Sequence, residues 1–141
     1  YAVRIGGGAN HRLALWDGIL IKENHILAAG SIAAALQAAQ ALNAGVSIQI
    51  EVESLDELRQ ALHAGAGNIL IDNFSLQDMR EAVAINQGRA LLEASGGISL
   101  KSIRDVAATG VDRISLGSIT KDVKAIDFSL RVTARQNQSA G

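Results

Sequence analysis

The sequence predicts an α/β fold: an incomplete parallel α/β barrel, TIM-like in the way its strands and helices alternate. Short aliphatic runs alternate with amphipathic segments along the chain, the pattern of strand–helix–strand units joined by right-handed crossovers. The repeat is roughly 20–24 residues, enough for a strand, a helix and short connections. The aliphatic runs end in residues able to do chemistry, as they do on the carboxyl-terminal rim of a barrel. No Gly-x-Gly-x-x-Gly or Walker loop follows a strand, which argues against a doubly wound sheet. A full barrel of eight units takes about 250 residues. The 141 residues offer about five units, so the chain is expected to be part of a larger polypeptide cut ahead of Tyr1.

Each element has its own signal. The strand ends are Ile19-Leu20-Ile21 into Lys22, Ile48-Gln49-Ile50 into Glu51, and Ile69-Leu70-Ile71 into Asp72. Leu91-Leu92 leads through Glu93 to Ser95-Gly96-Gly97, and Ile114-Ser115-Leu116 runs into Gly117. Ser31, Ser54, Ser75 and Ser99 read as N-caps of helices over about 31–43, 55–64, 76–87 and 100–109. Ser54-x-x-Glu57 has the spacing of a capping box. Gly45, Gly65, Gly88 and Gly110 read as helix stops. Leu55, Leu58 and Leu62 form one core-facing stripe, and Met79 and Val83, with Leu76, form another. The alternating run Ile126–Val132 predicts a last strand leaving the barrel, and residues 133–141 a polar, frayed tail.

Composition removes several classes of function. Hydrophobic residues make up 48 % and charged residues 19 %, ordinary for a globular protein, and aromatics only 3 %, so the core must be aliphatic. A net charge of −1 gives no reason to expect nucleic acid or an anionic membrane as partner. There is no cysteine, hence no disulfide and no thiolate metal site. No apolar run approaches the ~20 residues of a membrane span, and no signal peptide is visible. A cytoplasmic location is the expectation.

The residues with chemical potential are mostly cations, acids and glycine turns. Gly6-Gly7-Gly8-Ala9-Asn10-His11-Arg12 presents a histidine and an arginine side by side after a flexible bend. It reads as an anion-binding loop, since arginine forks onto carboxylates and histidine adds a donor; a flexible linker with a surface arginine is the plain alternative. Lys22 closes an aliphatic strand, where an ammonium either faces an anion or snorkels to solvent. Asn24 and His25 read as loop residues satisfying nearby backbone. Glu51 and Asp72, at neighbouring strand ends, suit ribose hydroxyls or Mg²⁺ held partly by a substrate's phosphates. Glu53, on the same strand face as Glu51, reads as a helix-start residue rather than a ligand. Ser95-Gly96-Gly97 and Gly117-Ser118 look like phosphate-gripping βα turns, with Lys121 close enough to add charge toward a diphosphate. The cations and both turns are expected on one rim, facing a ligand rich in phosphate and carboxylate.

Seven stretches then resemble one family, the quinolinate phosphoribosyltransferases (carboxylating nicotinate-nucleotide pyrophosphorylases). They are GGGANHR (6–12), LIKENHI (20–26), IEVES (50–54), ILIDNF (69–74), EASGGIS (93–99), TGVDRISLGSITK (109–121) and AIDFSL (125–130). The resemblance spans about residues 1–132. It implies that 1–132 is the C-terminal part of an α/β-barrel catalytic domain, with an N-terminal sandwich domain and a preceding barrel strand outside the chain. It implies transfer of a phosphoribosyl group from phosphoribosyl diphosphate (PRPP) to quinolinate with loss of CO₂, in NAD synthesis, with Mg²⁺ as cofactor. It also implies a homodimer or dimer-built oligomer in which each site borrows an arginine from the partner subunit. Residue by residue, His11, Arg12 and Lys22 match the quinolinate binders. Glu51 and Asp72 match the acids around the ribose and Mg²⁺, so that Lys22, Glu51 and Asp72 form the expected catalytic group. Ser95, Gly96 and Gly117 match the phosphate loops, and Lys121 stands where some relatives have histidine. A fragment of this extent is expected to be inactive alone. A paralogue acting on another anion, a non-catalytic PRPP-binding fragment, and a phosphate-binding isomerase or aldolase using Lys22 are the competing readings.

Overall fold

The computed structural model describes residues 1–122 and 124–132. Its centre is a sheet of five parallel strands: β1 (Gly18–Ile21), β2 (Ser47–Val52), β3 (Asn68–Asp72), β4 (Leu91–Ser95) and β5 (Arg113–Ile114). They lie side by side in chain order, β1-β2-β3-β4-β5. That order separates a barrel from a doubly wound sheet. A doubly wound sheet reverses direction at a switch point and carries helices on both faces. Here each strand pairs with the next in chain order and the buried residues of the connecting helices pack on one strand face, which leaves the other face as the barrel interior.

The connecting helices are α2 (Glu23–Ala29) and α3 (Ile32–Ala41) after β1, α4 (Leu55–His63) after β2, α5 (Leu76–Asn86) after β3 and α6 (Ile103–Ala107) after β4. Single-turn helices α1 (Ala2–Ile5) and α7 (Ser118–Lys121) open and close the set. The predicted caps hold at three sites: the hydroxyls of Ser31, Ser54 and Ser75 accept the backbone N–H of Ala34, Glu57 and Asp78. The box at Ser54 is displaced by one residue, because the Glu57 carboxylate accepts the N–H of Glu53 at 2.8 Å rather than that of Ser54.

The strand face toward the helices is apolar throughout. Ile21, Ile50, Val52, Ile69, Ile71, Leu92 and Ala94 pack on Ile32 and Leu36 of α3, Leu58 and Leu62 of α4, Met79 and Ala82 of α5, and Val106 of α6. Each of the larger side chains, removed from water, stabilises the fold by about 1.5–3 kcal/mol before entropy is counted. Alanines at helix positions 35, 39, 61 and 82 let the helices approach the sheet closely, which suits a core with almost no aromatic residues.

Three expectations are corrected. Residues 23–29 form a helix, not a loop: the Lys22 N–H donates to His25 Nδ1 at 3.0 Å, a cap made by an unusual residue, and Gly30 at φ 86° ends the helix. The helix expected over 100–109 is shorter, spanning Ile103–Ala107. Ser99 caps the turn ahead of it, its hydroxyl accepting the Lys101 N–H at 3.3 Å while the Ser102 hydroxyl accepts the Ser99 N–H at 3.0 Å. Residues 126–132 form no strand. Ile126, Phe128, Leu130 and Val132 alternate as a strand should, but all are exposed, and alternation makes a strand only where a neighbour supplies a ladder and a core. The tail expected over 133–141 lies outside the described residues.

Candidate active site

Strand register decides which chemical groups meet. In the β1–β2 ladder Ile21 pairs with Ile50, so the next residues, Lys22 and Glu51, fall side by side. The Lys22 ammonium lies 3.0 Å from Glu51 Oε2 and donates to Oε1 at 3.1 Å. Glu51 is nearly buried, whereas the lysine side chain is 48 % exposed. The hydrogen bond to Glu51 holds the Lys22 pKa above its ordinary value; burial opposes it, and the charges of Glu51, Glu23 and Asp72 reinforce it.

In the β2–β3 ladder Val52 pairs with Ile71, which brings Glu53 level with Asp72. Glu51, Glu53 and Asp72 each offer a carboxylate oxygen, and the three atoms lie within 4.8 Å of one another. Glu51 is therefore inside β2 rather than at its end, and Glu53 is more than a helix-start residue. Its backbone prepares α4, while its exposed carboxylate joins the acidic cluster.

The phosphate-type turn follows from the third ladder, in which Asp72 pairs with Ser95. Asn73 ties the two strand ends together. It sits in the left-handed region at φ 57°, its N–H donates to the Ser95 carbonyl at 3.1 Å, and its amide donates to Asp72 Oδ2 at 2.6 Å. Gly96, at φ 91°, passes so close that a Cβ there would stand 2.6 Å from the Asn73 nitrogen. Only glycine fits this crossing. On the far side of the sheet, the Lys121 ammonium folds back to 3.8 Å from where a Cβ on Gly117 would lie.

The loop before β1 behaves differently. Gly8 N–H donates to the Val3 carbonyl at 2.9 Å, closing a turn behind α1, and the chain then runs out exposed through residues 9–13. Arg12 Nη1 donates to the Gly18 carbonyl at 2.9 Å, at the amino-terminal end of β1. The structure thus gathers Lys22, Glu51, Asp72 and Ser95 at the carboxyl ends of adjacent strands, with Gly117 and Lys121 beside one another. It sets Arg12 at the other end of β1, its guanidinium donating to the Gly18 carbonyl. His11 leans the other way, its Nε2 3.5 Å from Oε1 of Glu93 on the inner face of β4.

Glu93 and Asn73 are the residues that reading the sequence passed over. The available signal for Glu93 was a carboxylate in mid-strand, in phase with Ser95. For Asn73 it was an asparagine directly after a strand-end acid.

A singly wound parallel sheet, with helices on one face and cation, acids and glycine turns at the carboxyl ends of its strands, defines an α/β-barrel domain of the enzyme type. The sequence model of the family described as quinolinate phosphoribosyl transferase, C-terminal domain, matches residues 1–131, and the chain belongs to that family. It is 47 % identical over 134 residues to a protein of Bacillus subtilis named probable nicotinate-nucleotide pyrophosphorylase [carboxylating], covering 94 % of this chain and 46 % of that one. It is 44 % identical over 133 residues to the nicotinate-nucleotide pyrophosphorylase [carboxylating] of Mycobacterium leprae, covering 92 % of this chain and 47 % of the relative. The solved nicotinate-nucleotide pyrophosphorylase from Francisella tularensis superposes with a TM-score of 0.86 at 53 % identity, over 90 % of this chain and 45 % of that one. The chain spans about half the length of the relatives it matches. No helix among the described residues is long and apolar enough to cross a membrane.

Proposed function

We propose that the protein carrying this chain transfers the phosphoribosyl group of PRPP to quinolinate and releases CO₂, yielding nicotinate mononucleotide and diphosphate. One observation carries the reading: the Lys22–Glu51–Asp72 cluster, joined by Asn73 to the Ser95-Gly96 turn, in a chain whose relatives are named for that product. In the reaction the pyridine nitrogen bonds to ribose C1 as the C1–diphosphate bond breaks. The 2-carboxylate then leaves as CO₂, and the electron pair left on the ring carbon takes a proton. No protein nucleophile is needed.

The residues divide the work by charge. Lys22 holds one carboxylate of quinolinate and His11 the other; Arg12, which donates to Gly18 at the amino-terminal end of β1, joins them once the loop that carries it swings to the rim. Glu51 and Asp72 accept hydrogen bonds from the ribose hydroxyls. Ser95, Gly96 and Gly117 hold phosphate through hydroxyl and backbone N–H groups, and Lys121 adds charge on the diphosphate side. Fixed cations and donors keep the nucleophilic nitrogen near C1 and need no reorganisation as charge moves. The three clustered carboxylates are hard oxygen donors of the kind Mg²⁺ takes, and Glu51 and Asp72 would hold it directly or through water. When bound, that ion supplies positive charge to the departing diphosphate. A cytoplasmic homodimer, or an oligomer built from dimers, with an arginine of the partner subunit completing each site, belongs to the same proposal.

The test is turnover by the full-length protein with PRPP, Mg²⁺ and quinolinate, followed by nicotinate mononucleotide and CO₂. Lys22→Ala is expected to raise the quinolinate KM by roughly tenfold or more. Turnover of a different anion in place of quinolinate, or an unchanged KM and kcat in that variant, defeats the assignment.

A further inference from the structure

Glu93 is a carboxylate that the proposed reaction does not use. It sits mid-strand in β4 and is only 7 % exposed. Leu92 and Ala94 on either side point into the helix-covered core, so Glu93 faces the barrel interior. A charge placed there is costly unless neighbours compensate it. Two neutral donors do part of this: Gln49 Nε2 donates to Oε2 at 2.9 Å, and the Ser115 hydroxyl donates to Oε1. The one basic side chain within ion-pair distance of Glu93, among the described residues, is His11 at 3.5 Å.

The position of His11 makes this contact informative. The histidine comes from the glycine-rich loop ahead of β1, yet it meets β4, three strands away in the sheet. Its side chain is 59 % exposed, and Glu93 is its recorded hold on the sheet. The direction of the contact also matters. With Nε2 the ring nitrogen nearer Glu93, Nδ1 is the ring atom that faces away. In the imidazolium form that atom is a donor as well, the polarity a substrate carboxylate requires.

We propose that Glu93 is a positioning residue, which anchors the His11 imidazole across the inner face of the sheet and turns its Nδ1 edge toward the quinolinate carboxylate. Gln49 and Ser115 hold the Glu93 carboxylate in the rotamer that reaches His11, as a supporting layer holds a binding group. This rests on the phosphoribosyl-transfer reading above and adds a residue and a mechanism to it.

The experiment is a double-mutant cycle in the full-length protein with Glu93→Gln and His11→Ala, measuring KM for quinolinate, KM for PRPP and kcat. Glu93→Gln is expected to raise the quinolinate KM by about tenfold and leave the PRPP KM within about twofold. With His11 already replaced by alanine, Glu93→Gln should change the quinolinate KM by less than about twofold, because the group it positions is gone. Effects that multiply independently, equal rises in both KM values, or no rise at all overturn the proposal. If Glu93→Gln does not fold, Glu93→Asp decides by the same criteria, since it keeps the buried charge but withdraws it from His11. Wild-type protein that does not turn over quinolinate would instead sink the functional reading, and this inference with it. Wild-type turnover with an additive cycle sinks the inference alone.

Discussion

Val52 and Glu51 are neighbours in β2, yet Val52 is sealed among the helices while Glu51 shares its carboxylate with a half-exposed lysine. The same split runs across the sheet. On the helix side stand Ile50, Ile69, Ile71, Leu92 and Ala94; on the inner side stand Gln49, Glu51, Asp72, Glu93 and Ser95. Leu20, Leu70 and Leu91 are the apolar members of the inner layer; Leu70 is buried, and all three lie outside the helix-facing core cluster. One strand therefore does two jobs with alternate residues. The outer face is where stability resides, and its requirements are volume and shape. The inner face is where polar groups are held in place by one another, and its requirements are register and partner.

This division can be broken from either side. The largest stability effect should come from the outer face: Ile50→Ala, at a fully buried position, is expected to cost about 2–5 kcal/mol in denaturant unfolding of the full-length protein. A loss below about 1 kcal/mol there would show that the outer face does not carry the fold. Next comes the crossing between the two strand ends. Gly96→Ala forces a side chain against the Asn73 nitrogen in a backbone conformation that L residues rarely adopt, an expected loss of about 1–3 kcal/mol. It should also raise the PRPP KM, by moving the turn. A neutral outcome in both measurements would mean that the Asn73–Gly96 contact is not a constraint.

The smallest effect concerns Lys22 and Glu51. The folded state raises the lysine pKa, so it favours the charged form. The stability contributed by the pair is then fully present below the ordinary lysine value of 10.5 and is lost as pH rises through the raised value. Half-exposure of the lysine keeps the contribution small. The unfolding difference between wild type and Lys22→Met should be constant from neutral pH to about pH 10 and close above it. A difference that does not close as pH rises above the ordinary lysine value would show that the ion pair adds nothing to folding.

How much was legible follows the same line. The apolar stripe of α4 and the caps at Ser31, Ser54 and Ser75 could be read, because each is a pattern within one turn or one strand. Lys22, Asp72 and Ser95 could be placed near strand ends for the same reason. The helix at 23–29 was missed because its cap uses a histidine nitrogen in place of a usual capping side chain. The strand expected over 126–132 was misread because its alternation is real but no strand among the described residues pairs with it. Glu53 was assigned to its helix because its backbone role is local and its carboxylate's role depends on β3.

The sequence alone determined the alternation of five strands with helices, the helix starts at Ser31, Ser54 and Ser75, and that the helices would need an aliphatic sheet to rest on. Periodicity is a local property, and hydrophobic burial enforces it wherever a core exists. The tertiary structure decided the strand order and register. Those set Lys22 beside Glu51 and Asp72 beside Ser95, and they carried His11 across the interior to Glu93. No local pattern encodes such meetings, because they depend on how far each crossover advances the next strand and on how the sheet curves beneath its helices.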